Sequence, residues 1–216
     1  GTDAVGRDLF SRVVYGARQS LLGALIAVAV GLVLGTLIGL IAGTRRGWVE
    51  TVLMRLVDVL LAIPGILLSL SIIIVTGFGS LQAAFAVGMT SVATFARLAR
   101  SQVIQIANAD FVEAAYGSGA TQAQVLFRHV LPNSLTPVLA LAALQFGTAI
   151  LQLSILGFLG YGAPPPTPEW GLLIAEGRDF MATAWWLILL PGLAIVATVM
   201  SANHLSQVIQ QEGDVK

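Results

Sequence analysis

Long apolar runs separated by short polar stretches set the pattern of this chain. The runs fall at residues 21–42, 56–76, 81–95, 134–156 and 186–202. A helix of roughly twenty apolar residues crosses the ~30 Å hydrocarbon core of a bilayer. The pattern therefore predicts five spans and an all-α multi-pass membrane protein. Ahead of the first run, Leu9, Phe10, Val13 and Val14 follow a helical period among Asp3, Arg7, Asp8, Arg12 and Arg18. Residues 1–20 read as an amphipathic lead-in at the membrane surface, with a soluble lead-in to the first span as the alternative.

Particular residues refine the spans. Gly31, Gly35, Gly39 and Gly43 repeat every fourth position in the first, a stripe for close helix packing. The second carries Pro64-Gly65 at its middle, which fits a packing kink and a broken, path-lining helix equally well. Asp58 near its end reads as an interfacial charge. The prolines at 164–166 cannot continue through lipid as a helix, so the loop at 158–183 is expected outside the hydrocarbon. Trp185 and Trp186 mark the surface where the last span starts, and Pro191-Gly192 reads as a second break.

The largest polar island, residues 110–132, is expected to fold as helix, turn, helix. Asp110 with Glu113 reads as a capping box, and so does Thr121 with Gln124. Gly117, Ser118 and Gly119 supply the turn, and Pro132 is expected to end the second helix. The small residues Ala114, Ala115, Gly119 and Ala120 would let a partner's groove close on the first helix. An ordinary surface loop accounts for these local signals equally well.

Composition agrees with a membrane protein: 56% of the 216 residues are hydrophobic and 10% are charged, against about a quarter charged in soluble domains. The formal net charge is zero, which gives no footprint for nucleic acid. With no cysteine, there is no disulfide framework and no thiolate metal site. No phosphate-cradling P-loop is present. The two histidines, His129 and His204, lie far apart at polar borders, so neither a zinc site nor a serine hydrolase pairing with Ser69, Ser71, Ser91 or Ser154 is favoured. Arginine and lysine favour the cytoplasmic side of a membrane. Arg45, Arg46, Arg55, Arg97, Arg100, Arg128 and Lys216 fall on one set of surfaces and Arg7, Arg12, Arg18 and Arg178 on the other. The start of the chain is thus expected outside and its end inside.

One constellation goes further. Glu113-Ala114-Ala115, then Gly119 after three residues and Leu131-Pro132 at the far end, closely resembles the EAA motif of binding-protein-dependent ABC importer membrane subunits. His129 stands where that motif usually has Ile, as in its peptide-importing branch. The stretches GTDAVGRDLFSRVVYGARQSL, MRLVDVLLAIPGILLSL, GFLGYGAPPPTPEWG and WWLILLPGLAIVATVM extend the likeness over nearly the whole chain. Together they are similar to the second permease subunit of dipeptide, oligopeptide and nickel importers.

The resemblance implies a type I ABC importer permease fold, normally of six spans, so a further span ahead of the GTD stretch is expected. It implies a non-catalytic subunit of a bacterial or archaeal cytoplasmic membrane. The partners implied are a second homologous permease, two cytoplasmic ATPase subunits that bind ATP and Mg, an external substrate-binding protein and the lipid. Asp110, Glu113, Ala114, Ala115, Gly119, Leu131 and Pro132 would form the ATPase-coupling segment; Pro64, Gly65, Pro191 and Gly192 could line the path. Residues 21–205 would then be the permease domain, with a cytoplasmic loop at 97–133 and a cytoplasmic tail at 206–216. The tail Asn203-His204-Leu205-Ser206-Gln207 departs from the family's usual ending. Nickel or another small solute is the alternative cargo; an intramembrane hydrolase and a purely structural scaffold are more distant ones.

Overall fold

A computed structural model describes residues 1–45 and 47–214; Arg46 and Lys216, both counted in the charge argument, lie outside the described residues. Helices α1 (Leu9–Thr44), α2 (Trp48–Ala62), α3 (Gly65–Thr76) and α4 (Ser80–Ala107) lead to the short α5 (Asp110–Gly117) and α6 (Gln122–Val125). A π turn at Leu126–Val130 joins α6 to α7 (Leu131–Phe158), followed by α8 (Trp170–Gly177) and α9 (Trp186–Asp214). Four helical stretches are long and apolar enough to cross a membrane, and α2 with α3 makes a fifth if that bent pair is one span.

The core forms where the glycine stripe of α1 meets α4. The two helices run parallel, since Gly31, Gly35, Gly39 and Gly43 meet Ser91, Phe95, Ala96 and Val103 in rising order. A Cβ on Gly35 would come 2.5 Å from the Phe95 Cβ, and one on Gly39 would come 2.5 Å from the Ala96 carbonyl oxygen. Only glycine permits this approach, which gains dispersion contact along more than three turns. α7 closes the core with Ile150, Leu153 and Leu156. The outer faces stay apolar and bare, as at Leu25, Val33, Ile74 and Val75, which suits a lipid or protein surround and not water.

The structure corrects several sequence expectations. Residues 9–20 are not a separate surface helix but the first turns of α1. Leu9, Arg12, Gly16 and Ser20 lie buried on the same face as Gly23 and Ala27, while Phe10 and Val14 are exposed. The inward face thus runs unbroken, and 36 residues reach about 54 Å at 1.5 Å per residue. The third span does not stop at Phe95; α4 carries on past Arg97 and Arg100, each paired with an acid of α2. Arg97 Nη2 lies 2.6 Å from Asp58, and Arg100 Nε lies 2.7 Å from Glu50.

Prolines behave in three ways. Pro64 breaks its span by 98°: Ile63 before it is extended (φ −90°, ψ 129°), the conformation a following proline imposes. Pro132 does not end a helix. It is the second residue of α7, and the π turn just before it carries the Leu131 N–H to the Leu126 carbonyl, five residues back. The wider turn absorbs the donor that Pro132 lacks. Pro191 does not break α9 either. The carbonyl it leaves free belongs to Leu187, the second residue of the helix, and that first turn is clamped against Gly177 of α8.

The described elements sort to two ends. The N-terminal loop, the proline loop and α8 share one end, where Gly16 packs on Pro168, Glu169 and Trp170. The α1–α2 link, α5, α6 and the end of α9 share the other, with Gly43 against Val103 and the Ser206 hydroxyl donating to the Ala140 carbonyl at 2.8 Å.

Candidate functional site

Three polar regions stand out, one at each end and one midway. At the end that holds α5 and α6 is the island. α5 starts one residue earlier than the capping pattern suggests. Ala109 is the N-cap, and Asp110 makes no capping hydrogen bond. Asp110 and Glu113 instead lie in the first turn, where their charge complements the helix dipole. The second capping box is real: Gln124 N–H donates to Thr121 Oγ1 at 3.4 Å, and Thr121 N–H donates to Gln124 Oε1 at 2.8 Å. Between the helices, Gly119 has φ +88°. Its N–H reaches the Tyr116 carbonyl at 2.9 Å and the Ala120 N–H reaches the Ala115 carbonyl at 3.1 Å. These are the two bonds of a Schellman stop, which requires glycine's left-handed freedom.

Val112 is the anchor of α5. It is buried with Val103, Val125 and Val130, and Ala115 and Ala120 pack on that cluster. Asp110, Phe111, Glu113, Ala114 and Tyr116 face away and are exposed. The fold thus gathers Asp110, Glu113, Ala114, Ala115 and Gly119 into one capped projection. Leu131 and Pro132 lie past the π turn at the start of α7. His129 connects the two parts, its ring centroid 6.3 Å from that of Phe111.

Midway, the break between α2 and α3 opens a cavity of about 450 Å³. Pro64 and Gly65 line it, facing Thr90, Ser91 and Thr94 of α4 and Gln145, Thr148 and Gln152 of α7. Pro191 and Gly192 are not among its lining residues. Ser69, Ser71 and Ser91 each donate to a carbonyl of their own helix at 2.8–2.9 Å, so no base is poised to activate them. Among the described residues no group of three His, Cys, Asp or Glu could hold a metal ion.

At the end that holds the N-terminal loop and α8 is a charge cluster that sequence reading missed. Arg12 Nη1 bridges Asp3 at 2.8 Å and Glu176 at 2.7 Å, and Arg7 Nε holds Asp3 at 2.7 Å. Burial pushes the Asp3 carboxyl up, but hydrogen bonds from Arg7, Val5 and Arg12 outweigh it and hold its pKa down to about 2. The cluster pins the N-terminal loop and α1 to α8. Asp3 and Arg7 pair across a turn ahead of α1, where no helical spacing flags them, and Glu176 lies far along the chain. Trp170 reinforces the joint, its Nε1 donating to the Val13 carbonyl at 2.9 Å.

The family described as the binding-protein-dependent transport system inner membrane component matches residues 35–211. The chain belongs to this family. A dipeptide transport system permease protein, DppC, of Alkalihalophilus pseudofirmus is 42% identical over 216 residues, all of this chain and 71% of that protein. A glutathione transport system permease protein, GsiD, of Pectobacterium atrosepticum is 38% identical over the same 216 residues, 72% of its length. Among solved structures, a chain of the inward-facing MetNI methionine ABC transporter superposes with a TM-score of 0.75 at 18% identity, over 94% of this chain and 97% of that one. A chain of an amino acid ABC transporter superposes with a TM-score of 0.67 at 17% identity, over 95% and 92%. These likenesses show the type I importer permease fold. The permease is a multi-pass inner membrane component of a transport system, a translocation subunit.

Proposed function

We propose that this permease forms half of a path for di- or oligopeptides and is driven by cytoplasmic ATPase subunits docked on its 110–132 segment. The observation that carries the docking role is α5: a short helix stopped at both ends, anchored by Val112 and bare on the face that holds Glu113 and Ala114. That shape suits insertion into a partner's groove. Closure of an ATP- and Mg-loaded ATPase pair would draw two such helices together, one from each permease, and open the cavity toward an external binding protein. The 110–132 end, with Arg45, Arg55, Arg97, Arg100 and Arg128, would then be cytoplasmic and the Arg12–Glu176 end external.

The names of the similar dipeptide and glutathione permeases support peptide cargo. Nickel is not favoured, since the cavity lining supplies neither imidazole nor carboxylate. Capture from detergent with the cognate ATPase subunits tests the docking role. Wild type should be retained, and Glu113→Lys should lose most of its binding. Equal retention of the variant would place the interface elsewhere.

A further inference from the structure

The midway cavity contains polarity without charge. None of its lining side chains is Asp, Glu, Lys, Arg or His. On α7, Gln145, Thr148 and Gln152 fall at i, i+3 and i+7, on one face. At 1.5 Å per residue this stripe is about 10 Å long. Across from it, Thr90 donates to the Val87 carbonyl at 2.7 Å and Ser91 to the Gly88 carbonyl at 2.8 Å. Thr148 likewise donates to the Leu144 and Gln145 carbonyls at 3.1 Å. The protons of these three hydroxyls are therefore taken up by the helices themselves. The carboxamides are different. The Gln152 oxygen lies 3.4 Å from the Thr90 hydroxyl and the Gln145 oxygen 3.2 Å from that of Thr148, each at most a shared, secondary acceptor of a proton already held by the helix. Among the described residues their Nε2 groups donate to no protein acceptor.

Resting on the peptide reading above, we infer that Gln145 and Gln152 read the main chain of the transported peptide and leave its side-chain charge unread. A carboxamide offers the same donor and acceptor pair as a peptide bond. An extended chain advances about 3.3–3.6 Å per residue, so a stripe of about 10 Å matches three residues. A fixed charge here would act at close range in a poorly screened space, holding the opposite charge and repelling its own kind. A neutral stripe passes both.

The complete importer, reconstituted in phosphatidylethanolamine–phosphatidylglycerol vesicles, tests this with Ala-Ala-Ala, Ala-Lys-Ala and Ala-Glu-Ala. Loaded binding protein is kept saturating, so that capture upstream does not limit uptake. Wild type imports the three within about threefold of one another, while Gln145→Glu and Gln152→Glu each raise the lysine-to-glutamate uptake ratio about tenfold. Gln152→Leu lowers all three alike, and Gln82→Glu, off the cavity, leaves the ratio alone. ATPase activity stimulated by the binding protein confirms that each variant has assembled. An unchanged ratio in both glutamate variants, with wild-type import intact, overturns the inference and leaves the peptide reading standing. If wild type imports none of the three while its ATPase responds, the peptide reading itself fails, and this inference with it.

Discussion

Glu169 is a carboxylate in an enclosed place. It is 6% exposed and, among the described residues, takes one hydrogen bond, from the Ala163 N–H at 2.7 Å. A Cβ on Gly157 would come 2.8 Å from its Oε1, and one on Gly162 would collide with Oε2, so both glycines make room for it. Burial pushes its pKa above the ordinary 4.5, against the pull of the Ala163 N–H. A carboxyl raised in the folded state stabilises it fully below its unfolded value, and that contribution is lost as pH rises through the folded value. The proline loop is therefore tightest in mild acid. Amide exchange at residues 157–177 should quicken as pH is raised past about 4.5, after correction for intrinsic exchange, and Glu169→Gln should flatten that dependence. The same slope in the variant would assign the effect to another group. Single residues were unevenly legible. Thr121 with Gln124 formed its box, whereas Asp110 slipped one position to leave Ala109 as the cap. A cap depends on where the chain turns, which the packing of Val112 decides here.

At the scale of elements, the glycine stripe was legible because a repeat of four survives in one dimension. Its mate was not: α4 offers Ser91, Ala96, Ala99 and the backbone itself, which carry no periodic signal. The contact leaves no slack. A Cβ on Gly35 already lies 2.6 Å from the Val92 carbonyl oxygen, and backbone cannot swing aside. Gly35→Leu should lower stability in detergent by at least the 1–3 kcal/mol typical of overpacking, at roughly that order. Gly23→Ala should cost far less, because it meets the flexible end of Leu153 at 3.2 Å. Thermal unfolding followed by size exclusion distinguishes them; equal midpoints would mean that α1 and α4 do not pack this closely. Prolines were the least legible. Pro64, Pro132 and Pro191 look alike in sequence, yet they mark a sharp bend, the sequel to a π turn and an ordinary helical position. What differs is whether a neighbouring element can hold the turn in place after a hydrogen bond is lost.

For the whole molecule, apolar run lengths were sufficient to give the class, and the order of polar stretches gave the two ends. The cavity was not legible, because Thr90, Gln145 and Gln152 meet only after the α2–α3 bend brings three helices together. Pairing touches both sides of the charge count: Arg7 and Arg12 at the proposed outer end are bound to Asp3 and Glu176, and Arg97 and Arg100 at the other to Asp58 and Glu50. The absence of cysteine makes orientation directly testable. In intact cells a membrane-impermeant maleimide should label Met181→Cys, at a site 66% exposed, and should reach Ser118→Cys only after permeabilisation. The opposite pattern would invert the permease.

The π turn at Leu126–Val130 has a consequence for how this chain can vary. Such a turn holds one residue more than an α-helix would, and each α-helical residue is worth about 100° of rotation. The number of residues between Gly119 and Leu131-Pro132 therefore acts as an angular setting. It fixes which way Gln145, Thr148 and Gln152 point relative to α5, more than 20 residues before them. Exposed side chains along that connection can drift, but its length cannot, because one residue more or less would swing the polar stripe by about 100° relative to α5.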